Sequence, residues 1–264
     1  MRVFACVAAT SLALLAGPAV AAPPQRVVSL KLCTDELLLL LAGPGQIASV
    51  TYLSQQSLES PLWRQASRYR ANDGSLLSVA AAAPDLVVDM GGGGRDVVRI
   101  APRIGARTLL LPYPQSIADL EAAITRLAAA LGRRPAGEAL IARIAALEAS
   151  RPSQPVDAIW VGGGGLSIAP DSLGAQWMAL AGLRQRALPA DRLTLEQLIV
   201  RPPEVLLRSR YRDAQYSSQQ QWLDHPLLKH NRSSRTLVTD GRPWTCMGPL
   251  MIDEIARLRR EVGR

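Results

Sequence analysis

Cysteine is scarce in this chain. There are three in 264 residues, Cys6, Cys33 and Cys246, and Cys6 lies in an apolar leader-like segment. Phenylalanine occurs once, so surfaces for stacking nucleobases are few. The arginines are scattered rather than gathered in a run, and a nucleic-acid partner is not expected. The two histidines, His225 and His230, are five positions apart, which does not put both on one helical face and argues against a zinc pair. No Gly-Lys-Ser/Thr follows either glycine run, which excludes a P-loop, and neither run is a clean G-x-G-x-x-G. Beyond residue 21 no apolar stretch reaches the ~20 residues that a membrane span needs.

The first 21 residues read as a cleavable signal peptide. Arg2 supplies the positive start, Val3 to Leu15 the apolar run, Gly17-Pro18 the break and Ala19-Val20-Ala21 the cleavage site. The expected location is therefore a bacterial periplasm. About 240 residues remain, enough for one large domain or two lobes of roughly 110–120. Apolar residues make up 48 % of the chain, enough to bury real cores. The net charge of +8 falls to about +7 without Arg2 and suits a small anionic ligand. In an oxidising compartment Cys33 and Cys246 are candidates for pairing, at opposite ends of the mature chain.

The chain has the same rhythm twice. In the first half, strands are expected at Arg26 to Leu30, Ile47 to Val50, Leu86 to Val88 and Thr108 to Leu111. Helices are expected at Asp35 to Leu41, Leu76 to Ala82 and Asp96 to about Ile104. In the second half, strands are expected at Ala158 to Val161, Val205 to Leu207 and Thr236 to Val238. The helices there are Leu173 to Ala181, Leu195 to Val200, Gln220 to Leu228 and Met247 to Arg260. Glycine runs, 91–94 and 162–165, follow a strand in each half. Between the halves, Leu120, Ile124, Leu127 and Leu131 form one helical stripe, and Leu140, Ile144 and Leu147 a second. Short apolar strands alternating with helices indicate an α/β fold of two similar lobes with mostly parallel sheets, joined by a rigid helical connector. The boundaries are residues 22–115 for the first lobe, 116–152 for the connector and 153–264 for the second lobe. A ligand belongs in the cleft between them, outside the carboxyl ends of the strands.

Four segments carry a resemblance. "RVVSLKLCTDELLLLLAGPGQIASV", "APDLVVDMGGGG", "LTLEQLIVRPPEVLL" and "VTDGRPWTCMGP" stand in the order found in the periplasmic binding proteins with a helical backbone, and the likeness spans residues 26 to 262. That family captures ferric siderophores, haem and cobalamin and delivers them to an ABC importer. The resemblance therefore implies an inner-membrane permease and its ATPase as partners, a bound metal chelate, no covalent chemistry and a monomer. Family members carry an acidic residue on the rim of each lobe for docking. Glu196 matches it in the second lobe, whereas Leu77 stands at the matching place in the first. Either Glu59 or Asp73 substitutes, or docking is lopsided, or the protein is a binding or sensing module with no transporter.

The family geometry directs the loops of Cys33 and Cys246 to the same cleft. The pair could be a disulfide, two thiols that contact a soft metal centre, or two unrelated buried thiols. Trp244 is placed to cover a flat ligand or to pack in a core. Tyr52 could bond a chelate edge or, as phenolate, a ferric ion, or else pack half-buried. Gly92 and Arg95 belong to the first glycine run, a close-approach cleft loop or a tight turn. Arg208, Arg210 and Arg212 flank Tyr211, and alternation would point the three arginines one way if the strand continued. Their forks match carboxylate or catecholate oxygens; the alternative is a solvated basic loop. The basic balance puts a ferric siderophore first, cobalamin second and haem third. A remote alternative is an α/β-hydrolase, with Ser167 in "GLSIA" as nucleophile, Asp213 or Asp224 as acid and His225 or His230 as base.

Overall fold

The computed structural model describes residues 22–91, 94–212, 217–229 and 232–263; the expected leader lies outside them. The first lobe is built on β1 (Val27–Ser29), β2 (Ile47–Thr51), β3 (Arg70–Asn72), β4 (Leu86–Met90) and β5 (Arg107–Leu111). They lie in the order β3-β2-β1-β4-β5, and every pair is parallel. The second lobe holds β6 (Val156–Val161), β7 (Leu183–Gln185), β8 (Val205–Arg210) and β9 (Arg235–Asp240), in the order β7-β6-β8-β9, again all parallel. All five side chains of β4 are buried, as a strand covered on both faces requires.

Two strands escape the sequence reading, β3 and β7. Both are three-residue edge strands, "RAN" and "LRQ", and have no apolar run to announce them. The first helix begins earlier than expected, at Leu32, so Cys33 sits in its first turn rather than before it. The stretch around Trp244 is a short helix, Gly241–Cys246, and not a loop. Asp240 starts it by accepting a hydrogen bond from the Arg242 amide at 3.0 Å, and Pro243 is tolerated because it lies in the first turn.

The connector consists of two helices, Ile117–Ala130 and Arg134–Ala149. Ser116 caps the first by accepting from the Asp119 amide. The stripe of Leu120, Ile124, Leu127 and Leu131 is fully buried, with Leu140, Ile144 and Leu147 beside it. These residues belong to one apolar cluster that also holds Val27, Leu38 and Val88 of the first lobe and Trp177, Val205 and Ile255 of the second. The outer face of each sheet has a separate core, around Val28 and Val87 in one lobe and Ile159 and Leu206 in the other.

A disulfide adds a covalent tie between the lobes. Cys33 and Cys246 are bonded, with Cα atoms 5.3 Å apart and 213 positions of chain between them. Their sulfurs are therefore bound to each other and are not thiolates, which overturns the soft-metal reading in this state. Beside the bond lie two buried acids. Asp35 accepts hydrogen bonds from the backbone N–H and hydroxyl of Thr51. Burial outweighs these bonds and raises its pKa to about 7. Glu36 is 1 % exposed and abuts Gly248, and neither carboxyl oxygen has a hydrogen-bond partner among the described residues. Burial, reinforced by the charge on Asp35, raises its pKa to about 8.

Two outcomes are expected. Replacing both Cys33 and Cys246 by serine releases the long closed loop, and chain entropy sets the loss at about 5 kcal/mol. Urea unfolding of the variant and of the oxidised wild type measures it; equal midpoints would refute a stabilising bond. The folded protein keeps a proton on Glu36 at pH values where the unfolded chain has lost it. Stability on this account declines as pH rises from the ordinary carboxylate value of 4.5 to about 8. Glu36→Gln is expected to match the wild type at pH 5 and to exceed it by about 1–3 kcal/mol at pH 9. A pH profile of urea unfolding that is the same for both proteins would contradict this.

Candidate functional site

Parallel strands deliver their carboxyl ends, and the loops that follow, to one edge of each sheet. In the first lobe β2 runs into a 3-10 turn, Tyr52–Gln55, and then a loop through Ser57, Leu58 and Glu59. In the second lobe β8 delivers Arg210, Tyr211 and Arg212, and β9 delivers Asp240 and Arg242. These loops meet. The Tyr211 hydroxyl donates to the Glu59 carboxylate. Arg212 pairs with the other Glu59 oxygen at 2.5 Å, and its guanidinium carbon lies 5.2 Å from the centre of the Tyr211 ring. Arg242 donates to the Ser57 carbonyl at 2.8 Å.

Between the loops is a cavity of about 300 Å³ lined by Ser57 and Leu58 on one side and by Arg210, Arg212, Asp240 and Arg242 on the other. It is strongly basic, with three guanidiniums facing one carboxylate in its wall. Arg242 is held by Asp240 through bonds of 2.6 and 3.0 Å, and this pairing raises its pKa. A second cavity of about 400 Å³ adjoins Tyr211 and Arg212 and is floored by Trp160 and Trp244. The two indoles are 5.7 Å apart and tilted by 41°, a favourable aromatic arrangement. Trp244 Nε1 donates to the Thr239 hydroxyl at 2.7 Å, and Trp160 Nε1 is buried with no partner among the described residues. Gly241 makes this packing possible: a Cβ there would lie 2.5 Å from the Cβ of Tyr211.

No protein-family model and no curated protein matches the sequence. Solved structures do match the fold. The periplasmic haem-binding protein BhuT, in complex with two haems, superposes with a TM-score of 0.64 at 20 % identity, over 89 % of this chain and 96 % of that one. A periplasmic haem-binding protein from Pseudomonas aeruginosa gives 0.63 at 21 %, over 90 % and 92 %. The periplasmic vitamin B12-binding protein BtuF of Vibrio cholerae gives 0.60 at 16 %, over 90 % and 96 %. The fold is that of the periplasmic solute-binding proteins. These similar structures are binding proteins and not enzymes.

In this solute-binding fold the residues singled out from the sequence separate into groups. Arg210, Tyr211 and Trp244 line the two cavities. Trp244 is only 3 % exposed, so it forms the floor of its cavity and not a lid. Cys33 and Cys246 hold the lobe junction. Tyr52 is 50 % exposed on the rim, outside both cavities. Gly92 lies outside the described residues. Arg95 falls in the helix Gly94–Ile100, just after β4, and its side chain is likewise outside what is described. The expected alignment of the three arginines fails at the third. Arg208 and Arg210 share a face of β8, but the strand ends at Arg210, and Arg212 has φ +55°, which turns it away from that alternation.

The cavity-lining residues missed include Leu58, Trp160 and Arg242, and Tyr113 stands outside both cavities. Tyr113 follows β5 and lies over Gly91, where φ is +82° and a Cβ would strike its ring at 1.8 Å. Arg242 carries a legible signal, an arginine two residues after an aspartate at a strand end. Trp160 is hidden inside the apolar run of β6. Ser167, the hydrolase candidate, is buried; it donates to the Trp160 carbonyl at 2.6 Å and accepts from Gln185 at 3.1 Å. His225 accepts from the Leu227 amide at 3.2 Å, while Asp213 and His230 lie outside the described residues. No base reaches Ser167 among the described residues, and the hydrolase reading is withdrawn.

The rims differ between the lobes. Glu196 is exposed at the second position of the helix Leu195–Val200, where the helix's backbone N–H and the Thr194 hydroxyl hold its carboxyl below the usual range. Leu77 holds the same position in the helix Leu76–Val79 and is 86 % exposed. Glu59 does not replace it, because it is buried against Tyr211 and Arg212. Asp73 is exposed three residues before that helix. Hydrogen bonds from Ser75 and Ser78 lower its pKa to about 2.

Proposed function

We propose that this protein is a periplasmic solute-binding protein that captures an anionic metal chelate between its lobes and presents it to an ABC importer. The observation that carries the reading is the basic cavity between the lobes, with Arg210, Arg212 and Arg242 on its wall and an aromatic-floored cavity next to it. Guanidinium forks match carboxylate and catecholate oxygens, and the two largely buried indoles give the adjoining cavity a rigid apolar floor. A ferric siderophore or haem fits this chemistry better than cobalamin, whose rim is mostly neutral amide. That haem-binding proteins are among the similar structures supports raising haem beside the siderophore. Binding then rests on burial, charge-assisted bonds and aromatic contact, with no chemistry on the ligand.

Visible-absorption titrations with haemin, a ferric catecholate and cyanocobalamin test the ligand class. The two anionic chelates are expected to bind more tightly than cyanocobalamin. Arg242→Ala is expected to weaken the anionic ones by about 1.5–3 kcal/mol, roughly 10- to 150-fold, and to leave cyanocobalamin nearly unchanged. Failure of all three to bind would sink the reading.

Delivery to a permease requires a docking face on each lobe. We infer that Glu196 serves on the second lobe and Asp73 on the first, with Leu77 as an apolar contact between them and the partner. Glu196→Ala and Asp73→Ala should each lower the stimulation of ATP hydrolysis by the reconstituted importer, and Leu77→Glu should raise it. Ligand binding with no stimulation in any variant would instead indicate a sensing module without a transporter, the reading that the exposed Leu77 keeps open.

A further inference from the structure

Glu59 is a first-lobe side chain that reaches a charged partner, Arg212, on the second lobe's cavity wall. It stands on the loop after the turn Tyr52–Gln55, and its carboxylate is buried and engaged across the cleft by Tyr211 and Arg212. The Tyr211 hydroxyl and the Arg212 guanidinium both point at it, an arrangement that any carboxylate would satisfy. Arg242 has its own partner in Asp240 within the second lobe. The Arg212 partner, by contrast, comes from the opposite lobe, so it can be exchanged without breaking the second lobe's internal contacts. Arg212 also holds a left-handed backbone, φ +55°, a conformation a non-glycine residue keeps only where its surroundings impose it.

We propose that Glu59 sets the ligand class by acting as an internal competitor. Its carboxylate sits on Tyr211 and Arg212 where a carboxylate or comparable oxyanion of the ligand sits in the complex. A ligand bringing such a group exchanges one anion for another and leaves Arg212 paired. A neutral ligand must leave Glu59 in place, or displace it and leave both the half-exposed Arg212 guanidinium and the Glu59 carboxylate without their partner, which costs more than the exchange. The inference rests on the cleft being the ligand site and adds the rule by which it chooses. Burial and the nearby Glu59 carboxylate also raise the Tyr211 pKa, so this phenol acts as a hydrogen-bond donor in the seat.

Citrate is a suitable probe because it offers carboxylates without a metal. Isothermal titration at matched ionic strength compares the wild type with Glu59→Gln, which still accepts from Tyr211 but frees the charge on Arg212. Glu59→Gln is expected to bind citrate at least about tenfold more tightly than the wild type. Glu59→Asp, which keeps the competing charge, should stay near the wild type, and adding Arg212→Met to Glu59→Gln should abolish the gain. Equal affinities in the wild type and Glu59→Gln overturn the proposal. So does a gain that survives Arg212→Met, since the seat would then be elsewhere. Should the citrate result hold while no metal chelate binds, the chelate reading fails and the anion seat stands.

Discussion

Everything in this molecule depends on a single apolar core that does not stop at the lobe boundary. Leu38 and Val88 pack in the same cluster as Ile124, Leu127 and Ile144 of the connector, and those in turn with Trp177, Val205 and Ile255. The inner face of neither sheet is closed by its own lobe. Parting the lobes at that seam would expose apolar side chains, at a cost of roughly 25 cal/mol per Å². The disulfide between the first helix and the helix Gly241–Cys246 pins the same seam. Cleft width is thus a property of the packed interior and not of a hinge.

A frame fixed in this way leaves recognition to the rim. The groups that meet across the cleft, Ser57 and Glu59 from one side and Tyr211, Arg212 and Arg242 from the other, stand beyond the strand ends, on loops and, for Arg242, in the first turn of the helix Gly241–Cys246. On the proposed exchange Glu59 yields its seat through side-chain rotation, which costs on the order of 1–2 kcal/mol for a long side chain and does not disturb the core. Discrimination among ligands is then electrostatic and acts at the rim, without a change of lobe angle.

The fold was legible because its signals are periodic. The connector stripe Leu120, Ile124, Leu127 and Leu131 faces inward as its spacing requires, and the strands centred on Val87, Ile159 and Leu206 lie in buried apolar runs. The edge strands β3 and β7 were not legible, because pairing on one side lets polar residues stand there. The site was half legible. Arg210, Tyr211 and Trp244 follow strand ends, where such residues invite a ligand reading. Yet Glu59 read only as a spare acid, since nothing local reveals that a residue 152 positions from Tyr211 in the chain meets it across the cleft. Trp160 carried no signal of its own, because it stands inside the apolar run of β6, core on one face and cavity floor on the other. The disulfide stayed one reading among three because sequence carries the number of thiols but not their separation in space.

The two lobes repeat a topology but divide the labour. The second lobe supplies the aromatic floor and the guanidiniums, and the first supplies backbone and one carboxylate. The same asymmetry appears on the rims, where the helix beginning at Leu195 shows Glu196 and the helix beginning at Leu76 shows Leu77. Both helices are set by the same device, a Ser or Thr cap whose hydroxyl accepts from an amide three residues on. The backbone repeat is kept by capping and packing, which constrain positions in the helix ends and the core. Nothing in those constraints reaches the second helical position, whose side chain points to solvent. The repeat therefore holds where packing enforces it and lapses where only a partner could, which is why the rims, and not the sheets, carry what is particular to this protein.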